Sequence, residues 1–323
     1  MDNFISEISI APTWLWASFT LGIIILLLID LSLFGQSDHK VQTKAALIES
    51  GIWITISLGF TAWFAMHFGT ELGLEFLTGY LVEKSLSIDN LFVILLIFSS
   101  FKIPDKYQHR VLFYGVLGAI LLRALFILLG AQLLHSFHGI LYLFGFILVV
   151  TAINFLRETD STLDVTENWS IRILKRILPT TDKADTNHFF ILDDGIRKAT
   201  PLFLALVVIE VTDLVFAVDS IPAVFAVTQD AFVAFASNIL AILGLRALYF
   251  VLADWVSKLR YLKPGLSAIL GFIGCKMLFV DFIKIPNWVS LLVIFSILTT
   301  AGLSSWYAAK IEKKQKNKLN PFN

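Results

Sequence analysis

Long apolar runs dominate the chain, and shorter polar segments separate them. A helix needs about 20 apolar residues to cross the hydrocarbon core of a bilayer, and nine runs reach roughly that length. The pattern therefore predicts an all-α polytopic membrane protein with nine transmembrane helices. The predicted spans are 13–35, 45–66, 78–100, 111–133, 137–156, 200–227, 231–253, 264–283 and 287–309.

The charges between these runs predict how the helices are oriented. Lys and Arg are concentrated in alternate loops and in the tail from Lys310 to Lys318, whereas the loops 67–77, 134–136 and 228–230 contain none. The positive-inside rule therefore places the N-terminus outside and the C-terminus inside the cell. Residues 1–12 lack Lys and Arg and the first run is long, so we interpret that run as a retained span, not a signal peptide.

Composition narrows the class of protein further. The chain is 57% hydrophobic and 15% charged, whereas soluble domains are about a quarter charged. Its formal net charge is zero, which argues against a nucleic-acid partner. A single cysteine, Cys275, excludes an internal disulfide and a thiolate zinc site.

The two halves of the chain resemble each other. Arg123-Ala-Leu-Phe aligns with Arg246-Ala-Leu-Tyr, and the segment that begins at Gly139 aligns with the one that begins at Gly265. Span three enters from outside and span six from inside, so spans 3–5 and 6–8 are predicted to be two inverted three-helix repeats. Such repeats place a transport site at their interface near the midplane. Chance similarity between helices rich in Leu, Phe and Gly is the alternative.

The repeats define the predicted domains. Residues 1–77 hold the first two spans, 78–156 the first repeat, 157–199 a cytoplasmic linker, 200–283 the second repeat, and 284–323 the last span with a basic cytoplasmic tail. Within the linker, 168–178 alternates apolar and basic residues, as in a short amphipathic interfacial helix. A solvated linker explains the same stretch.

Ionisable side chains within the apolar runs are the candidates for chemistry. A charge at mid-membrane costs roughly 2.5–3.5 kcal/mol, so each one requires a reason to be there. Carboxylate, amide and carbonyl oxygens suit Mn²⁺, Ca²⁺ or Mg²⁺, and we interpret the acidic residues as a path for a divalent cation. The predicted metal ligands are Asp89, Asn90, Glu210, Asp213, Asp219 and Ser220.

The spacing in span six limits how these ligands can meet. Asp213 and Asp219 lie about 120° apart on a straight helix. They share an ion only if the helix unwinds, which Pro222 would favour, or if other helices bring ligands to both sides.

Three basic residues are assigned to charge balance, namely Arg123, Arg246 and Lys276. The four carboxylates minus the two guanidiniums leave a formal charge of minus two, which one divalent cation would neutralise. A buried ion pair with an arginine is the alternative for Asp89.

We expect Lys84 to snorkel to the headgroups and Glu49 to be interfacial. The accessory candidates are Glu83, Asn238 and Asp30. Glu83 fits either the metal site or the membrane interface. Asn238 fits either the metal site or a hydrogen-bonded link between helices.

These motifs resemble the TerC family of bacterial integral membrane proteins, most closely its Alx-like branch. The segments that carry the resemblance are 76–92, 122–125, 210–223, 237–238, 241–249 and 272–277. The resemblance implies an inner-membrane manganese exporter of the LysE-like transporter superfamily, built from three-helix inverted repeats. It also implies that Mn²⁺ is the transported ion.

The predicted function is therefore Mn²⁺ efflux from the cytoplasm, by a transporter and not an enzyme, with no permanently bound cofactor. Its predicted partners are a divalent metal ion and the lipid bilayer, with no nucleic acid; no oligomeric state is predicted. One alternative is a membrane stress protein linked to tellurium resistance or redox modulation without transport. Another is a scaffold whose charges are structural pairs.

Overall fold

The computed structural model describes residues 8–34, 43–137, 139–157, 176, 178–181, 187–193, 195–252, 261–283 and 285–319. Most of these residues are in helices, and one β-hairpin is present in addition. The helices are α1 (Thr13–Phe34), α2 (Thr43–Phe68), α3 (Thr70–Ser100), α4 (Asp105–Ser136), α5 (Ile140–Arg157), α6 (Pro201–Phe225), α7 (Ala231–Leu243), α8 (Leu245–Leu252), α9 (Leu262–Leu278) and α10 (Asn287–Leu319). The strands are β1 (Phe190–Asp193) and β2 (Ile196–Ala199).

Length and composition show which helices could cross a membrane. Within the described residues, six segments are long and apolar enough: Lys44–Phe68, Asp105–Ser136, Ile140–Arg157, Pro201–Phe225, Ala231–Val251 and Asn287–Ala308. Helices α1, α3 and α9 occupy the remaining predicted spans. Helix α3 is long, but it carries Glu83, Lys84 and Asp89 in its middle. The chain is thus a multi-pass integral membrane protein.

The helices pair in a regular way. Helix α3 packs on α7, α4 packs on α6, and α5 packs along α9, while α3 also contacts α6. Helix α2 flanks α3 and α8, and α10 lies along α3 and α9. These contacts make α3, α4, α6 and α7 the centre of the bundle.

Helix α7 lies in the core of that bundle. All of its residues are buried, as expected for a helix that is apolar on every side. Asp230 caps its N-terminus, where the carboxylate accepts from the backbone N–H groups of Phe232 at 2.8 Å and Val233 at 3.0 Å. The same carboxylate accepts from the backbone N–H of Ile10 at 2.6 Å, which ties the segment before α1 to the start of α7.

Span seven differs from the single helix predicted for 231–253. The helix is interrupted at Gly244, between α7 and α8. An interrupted turn leaves backbone carbonyl groups without N–H partners. The Lys84 ammonium donates to one of these, the Ala241 carbonyl oxygen, at 3.0 Å. The expectation that Lys84 snorkels to the headgroups is therefore wrong, because its charged end lies inside the protein.

Helix α6 stays continuous through Pro222, so the turn before the proline is not unwound. Asp213 and Asp219 thus keep the angular separation of a regular helix. Of the two routes by which they could share an ion, only the supply of ligands from other helices fits this geometry.

The hairpin corrects the all-α expectation for residues 157–199. Gly195 closes the turn with φ of 77°, a conformation that favours glycine. Phe190 packs against Phe203 of α6 with ring centroids 4.5 Å apart, and Lys198 pairs with Asp193 at 2.9 Å. The end of the predicted linker is therefore part of the folded body. The amphipathic helix predicted for 168–178 lies almost wholly outside the described residues and stays a prediction.

Close packing of α5 on α9 generates a stability prediction. A Cβ atom at Gly145 would lie 2.9 Å from the Gly274 carbonyl oxygen, so Gly145→Ala must push the two helices apart. We expect a loss of about 1–3 kcal/mol in the free energy of unfolding, measured by denaturation in detergent micelles. Gly302→Ala in α10 is the matched control, because a Cβ there meets no atom within 4 Å. Equal stability of the two variants would contradict this packing.

Candidate functional site

A polar network surrounds the guanidinium of Arg123 at the centre of the bundle. The Arg123 side chain, on α4, is 0% exposed and forms an ion pair with Glu83 of α3. It also binds Asp213 of α6 through both carboxylate oxygens, at 2.9 Å from Nη2 and 3.3 Å from Nε. Carboxylates from the two halves of the chain thus share one guanidinium in bidentate, charge-assisted geometry.

Uncharged side chains complete this network. The Asn238 amide donates to Glu83 Oε2 at 2.8 Å, and the Ser87 hydroxyl donates to Glu83 Oε1 at 3.2 Å. Arg123 Nη1 donates to Ser220 Oγ at 3.3 Å and to Asn238 Oδ1 at 3.4 Å. Glu83 therefore lies in the protein interior and not at the membrane interface, and Asn238 links α7 to the same cluster.

The second arginine of the predicted site has a different environment. Arg246 Nη2 pairs with Glu49 Oε1 of α2 at 2.8 Å, and both side chains are almost completely buried. The Glu49 carboxylate therefore lies inside the protein opposite a guanidinium, and its position at the membrane interface stays a prediction. Arg123 and Arg246 occupy matching positions in the sequence but have different partners in space.

Two cavities lie on either side of α3 and α6. The first, of about 40 Å³, is mainly apolar and contains four polar lining residues; we call it the Asp213 cavity. These residues are Asn90, Thr212, Asp213 and Arg246. The second, of about 10 Å³, is lined by Asp219, Ser220 and Asn90 together with apolar residues; we call it the Asp219 cavity. Asn90 and Phe216 belong to both linings.

The remaining predicted site residues lie elsewhere or outside the description. The Glu210 carboxylate packs against Gly118 of α4, where an added Cβ would overlap it. Lys276 donates to Ser290 Oγ at 3.1 Å and to Asn287 Oδ1 at 3.5 Å, in a separate cluster near one end of the bundle. The side chains of Asp89 and Asp30 are not among the described ones, so their assigned roles stay predictions.

The described carboxylates do not form a preassembled metal centre. Among the residues that the structure describes, no three His, Cys, Asp or Glu side chains are grouped so that they could hold a metal ion. The reason is local: Asp213 is held by Arg123, and Asp219 accepts from Thr151 Oγ1 of α5 at 2.6 Å. A cation entering the Asp213 cavity would therefore compete with the Arg123 guanidinium for the same carboxylate.

Three residues of this region were missed by sequence reasoning as parts of the site. Glu49 and Thr151 are partners of site residues far away in the chain, and no pattern in the sequence identifies such partners. Phe216 could have been found from the sequence, because its spacing of three residues from both Asp213 and Asp219 places it between them on the helix.

Comparison with known proteins gives a consistent picture. The pattern of the integral membrane protein TerC family matches residues 68–314. An uncharacterized membrane protein of Myxococcus xanthus is 46% identical over 297 residues, which cover 92% of this chain and 93% of that protein. A protein of Escherichia coli K12 named "Putative membrane-bound redox modulator Alx" is 44% identical over 311 residues, or 93% of this chain and 97% of that one. No solved structure matches the chain.

The Arg123 network generates a second stability prediction. Arg123→Met would leave Glu83 and Asp213 buried together without a positive charge, and removing one member of a buried pair costs about 3–5 kcal/mol. We expect a loss of that size in the free energy of unfolding, measured by denaturation in micelles. Adding Glu83→Gln to Arg123→Met should recover part of it, because one uncompensated charge is then removed.

The matched control for that measurement is Arg197→Met. Arg197 is exposed in the hairpin and lies over the Phe190 ring at 5.3 Å, a contact worth at most about 1 kcal/mol at such a site. If both Arg→Met variants lower the free energy of unfolding by the same amount, the network around Arg123 stabilises the protein no more than this surface contact does.

Proposed function

This chain belongs to the TerC family of integral membrane proteins, and we propose that it exports divalent metal ions, Mn²⁺ in particular, from the cytoplasm across a bacterial inner membrane. One observation carries the proposal: Glu83 and Asp213, from different halves of the chain, meet at Arg123 beside a cavity that Asp213 lines. Ionisable groups buried in membrane-spanning segments mark ion pathways.

The proposed architecture has nine spans and two inverted repeats, α3–α5 and α6–α9, joined by the linker 157–199. The first helix of each half packs on the second helix of the other, in the pairs α3–α7 and α4–α6, and the third helices α5 and α9 pack on each other. A two-fold relation between the halves produces this exchange of partners, and transporters built this way bind substrate between the halves. The loop charges support a periplasmic N-terminus and a cytoplasmic C-terminus.

The proposed mechanism uses Arg123 as the charge that balances the site when no cation is bound. A divalent cation in the Asp213 cavity competes with Arg123 for the Asp213 carboxylate, while Glu83 keeps its own pair with Arg123. Asn90 supplies a further oxygen to the Asp213 cavity, and Asp219 and Ser220 supply oxygens to the Asp219 cavity. Asp89 and Glu210 complete the proposed set. Oxygen ligands suit Mn²⁺, Mg²⁺ and Ca²⁺. Export would be driven either by exchange with protons or by the membrane potential. The protein would hold no permanent cofactor and would catalyse no reaction.

Asp219→Asn tests this proposal with little structural damage. The amide oxygen of Asn can still accept the hydrogen bond from Thr151, but the negative charge is lost. We expect Mn²⁺ flux into proteoliposomes to fall at least about tenfold, a loss that even outer partners of metal sites cause. Cells that express the variant should retain more manganese under manganese stress, measured by mass spectrometry. A parallel panel of Mn²⁺, Mg²⁺ and Ca²⁺ fluxes establishes the preferred ion.

The matched control is Asp193→Asn, which makes the same chemical change at an ion pair in the hairpin. It should leave flux and cellular manganese at wild-type levels. Normal manganese content in both Asp219→Asn and Asp89→Asn cells would refute the proposed site.

A redox role is the second candidate, because the name of the Escherichia coli relative refers to redox modulation. Its chemical basis here would have to be the exposed thiol of Cys275, the single cysteine of the chain. Cys275→Ser should leave both Mn²⁺ flux and the cellular thiol–disulfide balance unchanged if the protein is a transporter. A changed thiol balance together with intact Mn²⁺ flux would favour the redox role.

A further inference from the structure

Four side chains of α6 form a stripe that winds around the helix. Glu210, Asp213, Phe216 and Asp219 follow each other at intervals of three residues in an unbroken helix. Each interval advances about 4.5 Å along the axis and turns about 60° around it. The stripe thus places three carboxylates and one aromatic ring at four successive positions, with the ring between Asp213 and Asp219.

Phe216 occupies the step between the two cavities. It lies midway between Asp213 and Asp219 both along the helix and around it, and its side chain lines both cavities. Asn90 of α3 is the other residue present in both linings, so the two cavities have one amide group and one aromatic ring in common. This arrangement explains how two carboxylates about 120° apart can serve one path without unwinding of the helix.

We infer that a cation crosses the protein in two stages, from the Asp213 cavity to the Asp219 cavity, with Phe216 as the apolar barrier between them and Asn90 as the oxygen ligand that spans it. The inference rests on the proposed transport function and adds a residue that determines which ions pass. An apolar constriction excludes water and therefore opposes hydrated ions. Mg²⁺ gives up its water reluctantly. A barrier at Phe216 therefore selects against Mg²⁺ relative to Mn²⁺.

The test is a flux ratio in proteoliposomes that contain the full-length protein. Phe216→Ala removes the ring, and we expect the ratio of Mg²⁺ flux to Mn²⁺ flux to rise about tenfold, as for the loss of a small apolar contact that discriminates substrates. Phe216→Tyr keeps the size of the ring but adds a hydroxyl to the constriction, and it should raise the ratio in the same direction. This second variant keeps the test decisive if the alanine variant does not fold.

The matched control is Val215→Ala, an apolar truncation at the neighbouring position, whose side chain is 60% exposed on the outside of the bundle. It should leave the ratio unchanged. For the bridging ligand, Asn90→Asp keeps an oxygen and should retain Mn²⁺ flux, whereas Asn90→Leu should lower it at least about tenfold.

The outcomes separate the two proposals. If the wild type carries Mn²⁺ but both Phe216 variants keep the wild-type ratio, the barrier is refuted and the transport function stands. If Asn90→Leu transports Mn²⁺ normally, the bridging ligand is refuted in the same way. If the wild type carries no divalent cation, the transport function itself fails, and the two-stage path fails with it.

Discussion

The burial of one guanidinium between two carboxylates is the constraint on which the centre of this protein depends. Removing a charge from water costs several kcal/mol, and the cost is offset only when opposite charges and hydrogen bonds surround it. Arg123 meets this condition because α3 supplies Glu83, α6 supplies Asp213, and α7 supplies Asn238. A shift of any of these helices along its axis would break the pairing, so the network sets their relative register.

The same network also separates two apolar regions of the bundle. On α4, Val111 and Leu112 belong to one hydrophobic cluster, whereas Ile127 and Ala131 belong to another, and Arg123 lies between them. Asp213 has the same position on α6, between Ile209 and Ala217. The ion pair between Arg123 and Asp213 therefore lies between two apolar clusters, in the middle of largely apolar helices. A cation that competes for Asp213 would act on the network that holds the helices in register, which links ion binding to helix packing.

A second polar network connects the N-terminal spans to this centre. Glu49 of α2 pairs with Arg246 at the start of α8, and Lys84 of α3 contacts the end of α7 across the break at Gly244. A Cβ at Gly244 would lie 2.9 Å from the Lys84 Nζ atom, so the glycine leaves room for the ammonium group. Helix α2 is thus bound to the second half of the chain through a buried charge, although it lies outside the two proposed repeats.

The sequence by itself determined the positions of the helices, the membrane character of the chain and its family. The length of an apolar run and the residues of a motif are local properties, and both can be read without knowing the fold. The sequence also identified ionisable residues within the spans, because each is conspicuous against its apolar neighbours.

The sequence did not determine which charged side chains form pairs. Glu83 and Lys84, adjacent in the chain, point to different partners, and Arg123 and Arg246 match in sequence but pair with different carboxylates. Those pairings, the break at Gly244 and the separation of Asp213 from Asp219 into two cavities depend on how remote helices pack, which only the tertiary structure decides.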